Sequence, residues 1–171
     1  MNTANQDVLE LARKIRKSLP VKPKPPDDGL FPNSENVIPF SVVRGTRGYI
    51  EKVTNQVNGT YENGWFDACA VMIRRLIETL IIETFEHHGI ANKIMNPAGD
   101  FLQLQDLVEK TLSEPSWNLS RGTKRSLPKL KSIGDLSAHS RRFLAHRQDI
   151  EKNIDDLRVV VQELIYLAEL K

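Results

Sequence analysis

Apolar residues recur at helical intervals along most of this chain, and no stretch shows the strict apolar–polar alternation of a half-buried strand. Thr3 to Leu19 reads as a short amphipathic helix, with Thr3 as N-cap and Val8, Leu11, Ala12, Ile15 and Leu19 on one side. Pro20 ends it. Val21 to Pro39 holds Pro23, Pro25, Pro26 and Pro32 and is expected to be an extended linker or an arm over the core. Its Leu30, Phe31, Val37 and Ile38, with Phe40, offer apolar contacts for a partner surface. Ser41 is placed to cap a helix running to about Val57, with Val43, Tyr49, Ile50, Val53 and Val57 facing inward. Asn58-Gly59-Thr60 follows as a turn; its flanks lack alternation, so a helix–helix turn is expected rather than a hairpin.

Glu62 to His88 carries the strongest pattern. Trp65, Ala68, Cys69, Met72, Ile73, Leu76, Leu80, Ile81 and Phe85 form a broad stripe, and Ile77 and Ile82 widen it, so most of this helix is expected inside. Gly89 suits the position just past its end. After a loop from Ile90 to Gly99, Asp100 is expected to cap a helix carrying Phe101, Leu104, Leu107, Val108 and Leu112, which Glu114-Pro115 ends. Ser120 caps the next, running to about His139, with Leu127, Leu130, Ile133 and Leu136 inward and Pro128 kinking or splitting it. Gln148 or Asp149 opens the last helix, packed through Ile150, Ile154, Leu157, Val160, Val161, Leu164, Ile165 and Leu167. The expected fold class is all-α: an up-down bundle of about four or five main helices over 41–171, preceded by an N-terminal helix and Pro-rich arm over 1–40.

Composition changes this picture little. The 171 residues are 40% hydrophobic and 27% charged, as in an ordinary globular domain. No apolar run reaches the ~18 residues of a membrane span, and the first helix has no apolar signal-peptide centre, so a cytoplasmic address is expected. A single cysteine, Cys69, excludes an internal disulfide framework and a cysteine-rich zinc site; on its apolar helix face it reads as an inert core thiol. His87 and His88, adjacent on a helix, point apart and make a poor metal pair. No cofactor motif is present.

Charge is more telling in its distribution than in its net value of +2. Tyr61 to Glu114 holds 9 acids and 4 bases, whereas Arg121 to Arg147 holds 8 bases and the single acid Asp135. The basic segment suits a phosphate-bearing ligand or an acidic surface, and Arg121, Lys124, Arg125, Lys129, Lys131, Arg141 and Arg142 are the candidates for nucleic-acid phosphates, with a solvated helix face as the competing reading. Lys131, Asp135 and His139 follow one another at i,i+4, so one helix face carries an ammonium, a carboxylate and an imidazole. A carboxylate one turn before an imidazole can fix its tautomer and raise its pKa, which is the arrangement needed to move a proton beside a phosphodiester. The competing reading is an Asp–His pair that only holds the helix end. Arg74 and Glu78 can pair at i,i+4, and with Arg75 they read as an internal ion pair tying helices together. Trp65 and Trp117 read as core or interface rather than stacking platforms.

The stretch Tyr61-Glu-Asn-Gly-Trp-Phe-Asp-Ala-Cys-Ala-Val-Met-Ile-Arg-Arg-Leu-Ile-Glu78, then Ile133-Gly-Asp-Leu-Ser-Ala-His139 and a long last helix, resembles the bacterial domain of unknown function 4145 (DUF4145). The likeness covers Ser41 to the C-terminus. Through that family it resembles the HEPN superfamily of helical bundles, which implies a HEPN-like fold and a homodimer. In active members an Arg-x(4–6)-His motif cuts RNA without metal, the arginine steadying phosphate charge and the histidine assisting the ribose 2′-hydroxyl. Carried across, His139 takes the motif histidine and Asp135 the polar position after the arginine, while the arginine's own position falls on Gly134. Arg141 and His146 match the motif by spacing alone, and Arg142 is a further nearby guanidinium. The candidate catalytic residues are thus His139, Asp135, Arg142, Arg141 and His146.

The glycine at the arginine position makes a non-catalytic dimerisation or interaction module the leading expectation, accessory to a nucleic-acid-processing or anti-phage defence system. The alternatives are a toxin-like, metal-independent endoribonuclease using His139, and an RNA- or nucleotide-binding domain without chemistry. Expected partners are a second copy, RNA or nucleotide, or another protein; no cofactor and no membrane are expected.

Overall fold

A computed structural model describes residues 36–171. Among these residues there are seven α-helices and no strand: α1 (Phe40–Val43), α2 (Gly48–Glu62), α3 (Phe66–His87), α4 (Leu104–Ser113), α5 (Arg121–His139), α6 (Arg147–Glu151) and α7 (Ile154–Leu167). A single turn of 3-10 helix covers Ala91–Ile94. The all-α class is as the periodicity predicts. The helix expected over Thr3 to Leu19, and the arm as far as residue 35, lie outside the described residues.

α3 is the axis of the bundle. Leu76, Ile77, Leu80, Ile81 and Phe85 are fully buried, as its wide apolar stripe requires. Helices α2, α5 and α7 pack around it. Cross-links fix their directions. The Cys69 thiol donates to the Val57 carbonyl (3.5 Å), while Arg47 near the start of α2 reaches Glu83 near the end of α3 (2.7 Å), so these two run antiparallel. Glu163 of α7 accepts from the start of α5, and Asp156 faces Arg125 and Lys129 further along it, so α5 and α7 are antiparallel as well.

Several boundaries differ from the sequence reading. The helix expected from Ser41 to Val57 is interrupted at residues 44–47, which separate α1 from α2 and leave Tyr49 exposed rather than inward. Asn58-Gly59-Thr60 is not a turn but lies inside α2. Asn58 is buried because its side chain replaces the backbone partners of the arm. Its Oδ1 accepts from Val37 N (3.0 Å) and Ile38 N (2.9 Å), and its Nδ2 donates to Ile38 O (2.8 Å). Val37 and Ile38 are thereby sealed into this chain's own core instead of reaching outward. The turn comes at residues 63–65, where Gly64 takes φ +74°, a value that favours glycine.

Asp100 caps no helix. Asn96 Oδ1 gathers Ala98 N and Asp100 N (both 2.9 Å), a Met95–Phe101 bridge closes the loop, and α4 starts only at Leu104. Ser120 does cap α5, accepting from Thr123 N at 3.2 Å. Pro128 does not split α5: it sits on the exposed side of one continuous helix. The last helix begins one residue earlier than expected and breaks at Lys152–Asn153 into α6 and α7.

Candidate functional site

Asp135 is the most connected of the predicted site residues. One oxygen accepts from Arg74 Nε of α3 (2.9 Å) and the other faces Lys131 Nζ one turn back (2.6 Å). Arg74 also reaches Glu78 (3.3 Å), the i,i+4 pair its spacing predicts. Partial burial works against ionisation of Asp135, but the hydrogen bonds and charges of Lys131 and Arg74 outweigh it and hold the carboxyl below its ordinary value of 3.8. The carboxylate stays charged and is spent on helix packing. The expected Asp135–His139 pair is not formed: His139 is exposed and has no hydrogen bond or ion pair among the described residues. Its tautomer is fixed by nothing.

Gly134 explains the closeness of α3 and α5. A Cβ built there would lie 2.5 Å from Arg74 Cβ and 3.1 Å from the Ala70 carbonyl oxygen. No side chain fits without parting the helices, so the position that the resemblance assigns to a catalytic arginine faces the α3 backbone. A guanidinium could not leave it toward solvent beside His139.

Arg141, Arg142 and His146 lie on residues 140–146, a loop in which five-residue spacing places nothing on a common face. The loop is well tied. Ser140 Oγ accepts from Phe143 N (3.2 Å), Asp67 in the first turn of α3 accepts from Ala145 N (2.9 Å), and Asp149 accepts from His146 N (3.0 Å). Bonds from Lys152 and the His146 backbone keep the Asp149 carboxyl below its usual range. Arg141 and Arg142 are exposed and have no acidic partner among the described residues. Arg147 is used differently: it donates to Tyr61 Oη (3.0 Å) and its guanidinium lies 5.0 Å and 5.5 Å from the Tyr61 and Phe66 ring centres.

The other candidate cations divide. Arg121, Lys124, Arg125 and Lys129 are exposed on α5. Arg125 and Lys129 share one carboxylate, Asp156, at 3.9 Å and 4.0 Å. Lys131 is half-buried and committed to Asp135, so it is withdrawn from any phosphate. The basic segment is therefore an exposed face of α5 continued by a loop, not a cleft closing on His139.

Three residues that hold the site in place carry no sequence signal beyond their type. Glu163 accepts from Ser120 N (2.6 Å), Ser120 Oγ (2.7 Å) and Thr123 Oγ1, seating the first turn of α5. Burial opposes its charge, but the Thr123 and Ser120 donors prevail and lower its pKa. Arg158 donates to the Val37 carbonyl (2.8 Å), and Asn58 clamps the same segment. Cys69 is fully buried, and burial pushes its thiol up to about 12, which suits the inert role expected. Trp117 is half-buried against Phe85, whereas Trp65 is 62% exposed and shares a groove of about 550 Å³ with Leu144, 69% exposed. A second groove, about 500 Å³, runs between α5 and the α6–α7 elbow.

Among the described residues no three His, Cys, Asp or Glu side chains come together as a metal site, and no helix is long and apolar enough to cross a membrane. The chain matches no protein-family model, no curated protein and no solved structure at a significant level.

Proposed function

We propose that this chain is a non-catalytic, HEPN-like helical interaction module that acts as a homodimer, as an accessory of a nucleic-acid-processing or defence system. One observation carries the reading. The residues that would make up a proton-transfer pair are spent on holding α3 to α5: Asp135 is divided between Arg74 and Lys131, and Gly134 is wedged against Arg74. An imidazole without an orienting carboxylate, and without an arginine at the motif position, lacks the geometry of assisted attack. The exposed Trp65 supports association, because tryptophan is enriched among the anchors of interfaces, and the exposed Leu144 beside it adds apolar surface.

The test is RNA cleavage in EDTA with structured and single-stranded RNAs, together with sedimentation of the full chain. No cleavage above background, equal in wild type and His139→Ala, and a concentration-dependent dimer are expected. Cleavage that disappears in His139→Ala would overturn the non-catalytic reading, and a monomer at all concentrations would overturn the dimer.

Binding of RNA or nucleotide without chemistry is a second reading, favoured by Arg121, Arg141 and Arg142, which stand exposed without acidic partners among the described residues. RNA affinity should then fall steeply with salt as phosphate contacts release counterions.

A further inference from the structure

The break at Lys152–Asn153 has a spatial result. Among the described residues, a groove of about 500 Å³ lies where the second half of α5 faces the residues of this break. Its floor is apolar: Ile133 and Leu136 of α5 and Phe143 of the following loop. Leu136 is 44% exposed, although the periodicity of α5 places it inward. Lys129 and Lys152 stand at the rim. Lys152 is itself paired with Asp149, which lines this groove (2.7 Å), and Lys129 faces Asp156 (4.0 Å), so the positive charge without an acidic partner among the described residues is that of Arg121, Arg141 and Arg142 on either side.

Charge continues outward from the slot. Up the same exposed face of α5 lie Lys129, Arg125 and Arg121 at i,i+4 steps, with Asp156 as the acid facing Arg125 and Lys129. Past the other end come the exposed Arg141 and Arg142. An apolar slot flanked by cations on both sides is complementary to an amphipathic acidic segment, whose apolar residues enter the slot while its carboxylates meet the rim. Nucleic acid would use the cations but not the slot, because the floor offers no exposed ring for a base: Phe143 is half-buried, and the exposed Trp65 lines a different groove.

We propose that the groove between α5 and the α6–α7 break is the docking site for an acidic, amphipathic peptide segment of a partner protein, anchored on Leu136 and Phe143 and flanked by the basic face of α5 through Lys129 on one side and by Arg141 and Arg142 on the other. The proposal rests on the interaction-module reading and names the chemistry of its partner.

The experiment is fluorescence anisotropy with the full chain and a labelled peptide of about 16 residues, bearing Leu or Phe at i, i+3 and i+7 and Asp or Glu elsewhere. A second peptide keeps the acids but replaces the apolar anchors by Ser, and a labelled uridine oligonucleotide is the third probe. Saturable binding of the first peptide is expected, with the Ser peptide at least roughly tenfold weaker. Leu136→Ser should weaken the first peptide by a similar factor, and Lys129→Glu by several-fold with a shallower salt dependence. Leu136 and Lys129 are both exposed, and circular dichroism of each variant verifies the fold. Equal affinity for both peptides, indifference to Leu136→Ser, absence of saturable binding, or an oligonucleotide that binds more tightly than the peptide and displaces it would each overturn the proposal. Such a failure with RNA left uncut and the dimer intact removes the groove alone; cleavage dependent on His139 removes the module reading and is read in a separate assay.

Discussion

At the scale of single residues, Gly134 and Asp135 carry the contact between α3 and α5. Alanine is ordinarily about 1 kcal/mol better than glycine inside a helix. At Gly134 the added methyl meets Arg74 Cβ at 2.5 Å, and overpacking of this kind costs about 1–3 kcal/mol. Gly134→Ala should therefore lower the thermal midpoint by several degrees; a midpoint raised by the substitution would show that the helices have room to separate. Asp135→Asn should cost about 1–2 kcal/mol at neutral pH, because Arg74 and Lys131 lose their shared carboxylate. The folded-state pKa of Asp135 lies below its ordinary 3.8, so its stabilisation is complete above that value and is lost as the pH falls through the lower folded value. The difference in stability between wild type and Asp135→Asn should shrink over that acidic range in denaturant titrations. A constant difference would contradict the ion-pair assignment.

At the scale of elements, two polar anchors decide where segments sit. Asn58 supplies three hydrogen bonds to Val37 and Ile38 from inside α2. Asn58→Ala should leave buried backbone groups unpaired, cost about 2–3 kcal/mol, and open the chain near residue 37 to limited proteolysis; an unchanged cleavage pattern would argue against the clamp. Glu163 plays the equivalent role for α5 through Ser120 and Thr123. Glu163→Gln should speed amide exchange in the first turn of α5 while leaving the α3 core protected. These anchors are also where element boundaries escaped the sequence. Asn58-Gly59 has the composition of a turn, but the asparagine's value here is as a partner for a segment about twenty residues away. Asp100 is a cap by residue type, but Asn96 folds the loop on itself and delays α4 to Leu104.

At the scale of the whole molecule, charge and apolar surface are segregated. The basic face of α5 and the loop after it surround one apolar groove, and Trp65 and Leu144 line another at the α2–α3 turn. The two should separate by mutation. Trp65→Ser is expected to weaken self-association in sedimentation without altering acidic-peptide binding, and Leu136→Ser the reverse. A single variant that abolishes both would mean that one surface serves both contacts. His139 has no part in either expectation, and His139→Ala should leave the unfolding free energy within about 0.5 kcal/mol of wild type in denaturant titration, as for an exposed residue without partners among the described residues.

Apolar spacing by itself determined the helical class and the burial of α3, and residue type and charge spacing determined the cap at Ser120 and the Arg74–Glu78 pair, because all of these depend on neighbours within a few turns of one helix. The same local logic proposed an Asp135–His139 pair that the fold does not make. Both residues share a face of α5, but α3 brings Arg74 to Asp135 from outside the helix, and the carboxylate is held between that guanidinium and the Lys131 ammonium while His139 stays exposed. Tertiary packing alone decided that Gly134 faces a backbone rather than solvent, that Leu136 lies in an open groove, and that Val37 and Ile38 belong to this chain's core. Each of these turns on contacts between segments far apart in the chain, whose partners periodicity cannot name.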